Sequence, residues 1–82
     1  MTIRVRLFAI LRERAGDVGE LTLEVPRGAR ARDVASQVSQ KHPTLRELLP
    51  RAAFAVNREY ADADTELNDG DEVALIPPVS GG

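Results

Sequence analysis

Residues 2–8 alternate strictly, with Ile3, Val5 and Leu7 on one face and Arg4, Arg6 and Phe8 on the other. This is the period-two pattern of a strand that buries one side. Residues 20–25 repeat it, setting Leu21, Leu23 and Val25 against Glu20, Thr22 and Glu24. A hairpin is therefore predicted, its connection holding a helical turn that ends at Gly16. Pro26 and Gly28 then break the second strand, and Ala31, Val34, Ala35 and Val38 fall at i, i+3, i+4 and i+7, one stripe of a helix. Asp33 and Lys41 complement the dipole at the two ends of that helix. Pro43 stops it, and Leu45, Leu48 and Leu49 predict one further turn before Pro50. Phe54 and Val56 mark a short third strand, Asn57-Arg58 a turn, and Val73 with Leu75 a last strand entered through Asn68-Asp69-Gly70. With 82 residues there is material for one core only. The order ββαβ(β)β is a two-layer α+β domain, with the helix on one sheet face and the other face open.

Several chemistries are excluded by residue type. Cysteine is absent, which removes disulfides, thiolate nucleophiles and cysteine-ligated zinc or iron–sulfur clusters together. The one histidine, His42, stands at a helix end where it meets the dipole, and no partner residues are spaced around it to make it a base. No metal site is expected. The acidic set Asp62, Asp64, Glu66, Asp69, Asp71 and Glu72 fails the calcium-loop template, because Leu67 stands where the central glycine is required. It reads as turn chemistry and a solvated face. No apolar run reaches the ~20 residues of a membrane span, and residues 1–4 enter the strand pattern directly without an export signal. A cytoplasmic chain without membrane contact is expected.

The net charge of −2 conceals two unlike parts. Residues 1–58 carry all eleven Lys and Arg against six acids, and residues 59–82 carry seven acids and no base. Such asymmetry steers encounters with charged partners. The arginines are scattered without interleaved aromatics for base stacking, so nucleic acid is not the expected partner.

Strand parity places Phe8 and Ile76 opposite the core-facing Leu7 and Leu75, and Ala53, Ala55 and Ala74 share that outward parity. An apolar outer face of this kind predicts a docking patch. Tyr60 is added to it, although the turn before it leaves its direction unset. The chain closes on Pro77-Pro78-Val79-Ser80-Gly81-Gly82. Two prolines after a buried strand make a stiff exit. From Pro77 the tail reaches about 20 Å at ~3.3–3.6 Å per residue. Two residues without a Cβ can pass a channel too narrow for side chains and carry a terminal carboxylate into a partner's active site.

With these residues the chain resembles the small subunits of molybdopterin synthase (MoaD), sulfur carriers of the ubiquitin-like β-grasp family. Leu7-Phe8-Ala9, followed by Leu11-Arg12-Glu13 and Gly16, is similar to that family's first strand and turn, and Ala55-Val56-Asn57 to its middle strand. Asp69-Gly70-Asp71-Glu72-Val73 is similar to a hairpin shared by β-grasp domains of other function, and the Pro-Pro-Val-Ser-Gly-Gly end is the discriminating part. The resemblance implies a mixed sheet of four to five strands with one main helix on one face, over residues 1–78, and a flexible Gly-Gly tail over 79–82. It further implies that Gly82 is adenylated by an ATP-using, ubiquitin-activating-like adenylyltransferase (MoeB-like) and becomes a thiocarboxylate, with Gly81 giving the tail its access. An ionised carboxylate, with pKa about 3.5, is unreactive until a better leaving group is attached. The thiocarboxylate then enters the large synthase subunit (MoaE-like) and gives its sulfur to a pterin precursor, forming the dithiolene that holds molybdenum. Phe8, Tyr60, Ile76, Pro77, Pro78 and Val79 are the expected partner-binding residues, acid–base residues are expected on the large subunit, and this chain itself binds no cofactor. A ubiquitin-like protein modifier, or a carrier for another product such as thiamine, uses the same tail chemistry, and a plain β-grasp interaction module is the remaining alternative.

Overall fold

The alternating segments pair as their patterns require. In the computed structural model, which describes residues 1–78, Thr2–Leu7 forms β1 and Glu20–Glu24 forms β2, antiparallel with Ile3 opposite Leu23 and Val5 opposite Leu21. Between them α1 spans Ile10–Arg14 and unwinds into Gly16 at φ 81°. The amphipathic helix α2 covers Ala31–Lys41 and buries Ala31, Val34 and Val38. Pro43–Leu45 and Leu49–Arg51 then make two separate 3₁₀ turns in place of the one further turn expected. Each carries its proline in the first turn, where a missing N–H costs nothing. The strands β3 (Ala53–Val56), β4 (Glu59–Ala61) and β5 (Glu72–Ile76) complete the fold.

The five strands form one mixed sheet in the order β2-β1-β5-β3-β4. β5 lies at its centre, parallel to β1 with Val5 opposite Val73, and antiparallel to β3 with Phe54 opposite Leu75. The core is therefore closed by strands from the two ends of the described chain. Ile3, Val5, Leu7, Leu23, Val73 and Leu75 face α2, joined by Leu11, Leu45, Leu49, Phe54 and Leu67. Full burial of such a side chain contributes about 1.5–3 kcal/mol. No charged side chain is buried among the described residues.

The segment before α2 offers no capping side chain, and the structure supplies backbone instead. The N–H of Ala31 donates to the carbonyl of Thr65 and that of Arg32 to Ala63, each at 3.0 Å. Asp33 Oδ2 accepts from the Arg30 N–H at 2.8 Å. Helix N-termini leave donors without intrahelical partners, and here a loop about thirty positions downstream satisfies them. No helix among the described residues is long and apolar enough to cross a membrane.

Candidate functional site

The face of the sheet away from α2 is set by parity and register. Arg6 pairs with Ala74, Ala74 with Ala55, and Ala55 with Tyr60, giving one row across β1, β5, β3 and β4. In the next row Ile76 pairs with Ala53, and Phe8 follows Leu7, whose partner is Leu75. The expected patch residues Phe8, Tyr60 and Ile76 thus share one surface, with the alanines as its low floor. Ala55 and Ala74 are nearly covered, Ile76 is half-buried, and Phe8 and Tyr60 stand out at 38% and 83% exposure. These two are the only large hydrophobic residues exposed among the described residues. A flat apolar floor with projecting aromatics suits a protein surface better than a small molecule.

Tyr60 is aimed by the turn before it. Asn57 and Arg58 have φ 51° and 71°, the left-handed pair of a tight hairpin that fixes the register of β4 on β3. Asn57 clamps this turn to β5. Its backbone N–H donates to the Glu72 carbonyl at 2.8 Å, its Nδ2 to Asp71 Oδ1 at 2.9 Å, and its Oδ1 accepts from the Glu72 N–H at 3.0 Å. The Asn-Arg pair signals a turn in the sequence, but the clamp depends on a strand fifteen positions away.

A charged trio borders the patch, and sequence reasoning had not singled out its pairing. The Glu72 carboxylate lies 3.8 Å from Arg4 and 3.7 Å from Arg6, with its side chain only 15% exposed. Arg6 in turn rests over the Phe8 ring, 5.0 Å from its centroid, within cation–π range. Outward parity at positions 4, 6 and 72 was the available signal.

The chain leaves the centre of the sheet beside this patch. After Ile76, Pro77 is half-buried and Pro78 exposed. At the neighbouring end of β1, Ala9 takes φ 52° and ψ −126°, turning the chain into α1 and leaving Phe8 at the corner. The remaining expected site residues, Val79, Gly81 and Gly82, lie outside the described residues.

The acidic set is occupied with turn chemistry. Asp62 Oδ1 accepts from the Asp64 N–H, Asp69 Oδ1 from the Thr2 N–H, and Asp71 Oδ2 from the Asn68 N–H. No cluster of three or more metal-ligating side chains occurs among the described residues. His42 closes α2, its N–H donating to the Val38 carbonyl at 2.8 Å.

Known proteins match this chain over its whole length. The ThiS family model matches residues 5–82. The molybdopterin synthase sulfur carrier subunit of Chlamydomonas reinhardtii is 48% identical over 84 residues, covering 100% of both chains. SAMP1 from Haloferax volcanii superposes with a TM-score of 0.87 at 30% identity, again over 100% of each chain. A chain in the complex of subunits 1 and 2 of molybdopterin-converting factor from Helicobacter pylori 26695 superposes at 0.71 with 28% identity and 100% coverage of both.

Proposed function

The chain belongs to the ThiS family, and on that premise we propose that it is the sulfur carrier subunit of a molybdopterin synthase and works through the carboxyl of Gly82. The observation that carries the reading is the full-length likeness to a sulfur carrier subunit, on a fold whose central strand ends at Ile76 beside an exposed apolar face.

Among the described residues that face carries aromatic and aliphatic side chains, and its role is to bind and orient. Phe8, Tyr60 and Ile76 dock against the synthase large subunit, and Pro77 and Pro78 direct Val79 and the two glycines into its active site. In the loading step, a Gly82 carboxylate oxygen attacks the α-phosphorus of ATP on an adenylyltransferase and pyrophosphate leaves. A sulfide-level nucleophile then attacks the acyl carbon; the C–S bond forms as the C–O bond to AMP breaks. The thiocarboxylate sulfur next bonds to a carbon of a pterin precursor as a carbon–oxygen bond at that carbon breaks and the oxygen leaves, and water then cleaves the acyl–sulfur bond and restores the carboxylate. No cofactor resides on this chain, and ATP is consumed on the activating partner.

A second reading is a protein modifier, favoured by the likeness to SAMP1. There an amine of a target protein displaces AMP from the same acyl-adenylate and an amide bond forms.

Intact-mass analysis after incubation with ATP, an activating enzyme and a sulfur source separates the two. One oxygen exchanged for sulfur at Gly82 is expected, and amide-linked adducts without sulfur exchange would replace the carrier reading with the modifier. Phe8→Asp and Ile76→Asp are each expected to weaken large-subunit binding by about thirtyfold, the scale of a central hot spot. Unchanged affinity in both folded variants would remove the face from the interface.

A further inference from the structure

The layer opposite the docking face carries a second surface that the sulfur-carrier reading does not use. Beside its buried stripe, α2 presents Arg32, Ala35, Ser36 and Ser39 at i, i+3, i+4 and i+7. Together with Arg46, Leu49, Pro50 and Phe54 this stripe walls a recess of about 360 Å³, whose lining is mainly apolar. Arg46 also borders a second recess of about 540 Å³, which it shares with Arg14, Thr44 and Glu47. Arg46 lines both recesses, so they adjoin as the two halves of a composite trough, one apolar and one cationic.

The charge along this trough is unbalanced. Arg32 is paired with Asp64, whereas Arg14 and Arg46 make no ion pair among the described residues. Glu47 is the single carboxylate lining the cationic end. Surface arginines that lack a partner beside a reachable apolar floor fit a ligand that brings both a carboxylate and an apolar side chain. A free anion would leave the apolar lining of Ala35, Leu49 and Phe54 unfilled, and a nucleic acid would meet one aromatic residue, Phe54, in place of a series of stacking faces.

We propose that this trough binds an extended acidic segment of a protein partner, seating one apolar side chain on Ala35, Leu49 and Phe54 and its carboxylates on Arg46 and Arg14. The trough and the sheet face lie on opposite layers, so the two partners can be held at once. The proposal stands apart from the sulfur-carrier reading, and either can fail alone.

The test uses the full chain and a short fluorescein-labelled peptide carrying one leucine between pairs of glutamates, followed by anisotropy. Its counterpart has lysines in place of the glutamates. Saturable binding of the acidic peptide is expected, weakened by added salt, with amide shifts confined to Arg14 and its neighbours, α2 and residues 43–54. Arg46→Glu is expected to reduce affinity by about tenfold or more, as for the loss of a partly desolvated charge pair. Ser36→Trp, an exposed position that plugs the apolar end, is expected to do the same with the charges intact. Absence of saturable binding, equal binding of the lysine peptide, unchanged affinity in both folded variants, or shifts on the outer sheet face would each overturn the proposal.

Discussion

Arg58 sits at φ 71° with no side-chain hydrogen bond among the described residues, whereas its neighbour Asn57, at φ 51°, is held by three bonds to Asp71 and Glu72. Left-handed backbone costs a non-glycine residue about 1–2 kcal/mol, and Asn tolerates it better than Arg. Arg58→Gly is therefore expected to stabilise the chain by about 1 kcal/mol after the entropy cost of glycine is deducted. That amounts to a rise in Tm of about 4–8 °C for a domain of this size. A thermal melt showing no rise would reject strain at this turn. The same turn shows what single residues disclose. The inward set Ile3, Val5 and Leu7, and the outward Phe8 and Ile76, were legible from alternation alone, because parity within a strand is a local property. The direction of Tyr60 was not legible. It follows from β4 pairing across a two-residue turn whose dihedrals are fixed by bonds to β5.

At the scale of elements, the start of α2 was the least readable feature and the body of the helix the most. The stripe Ala31, Val34 and Val38 is written at helical spacing, and Pro43 marks the stop. The cap is non-local, made by the carbonyls of Ala63 and Thr65. Only Asp33 betrays it locally, three positions after the Arg30 N–H that it accepts from. Asp33→Ala is expected to cost about 1 kcal/mol, in the range for loss of a capping interaction. Urea unfolding should then show a lower midpoint with an unchanged slope, and an unmoved midpoint would mean that the loop carbonyls suffice. The two 3₁₀ turns teach a related point. Leu45 and Leu49 were legible as apolar anchors, and both are buried. Their spacing around Pro43 and Pro50 could not show that the chain makes two short turns, because that depends on how far α1 and β3 stand from the end of α2.

For the whole molecule, the central position of β5 separates what the sequence puts side by side. The acids of residues 59–72 and the Gly-Gly end adjoin in the chain, yet Asp71 and Glu72 enter β5 at one end and Ile76-Pro77 leaves at the other. The five residues of β5 put Glu72 and Ile76 about 13 Å apart. β5 also joins the amino-terminal hairpin to β3, so core and tail hang on one strand and their contributions can be separated by substitution. Leu75 is fully buried between β1 and β3. Leu75→Ala is expected to cost about 2–5 kcal/mol, against a total of about 4–12 kcal/mol for a chain of this length. It should lower the unfolding midpoint and the sulfur-transfer yield together. Among the described residues the buried core runs from Ile3 to Leu75, and deletion of Gly82 is expected to leave the midpoint unchanged and abolish sulfur loading. A Gly82-deleted chain that melts early would show the tail to be part of the fold, and one that melts normally yet still supports dithiolene formation would defeat the sulfur-carrier reading.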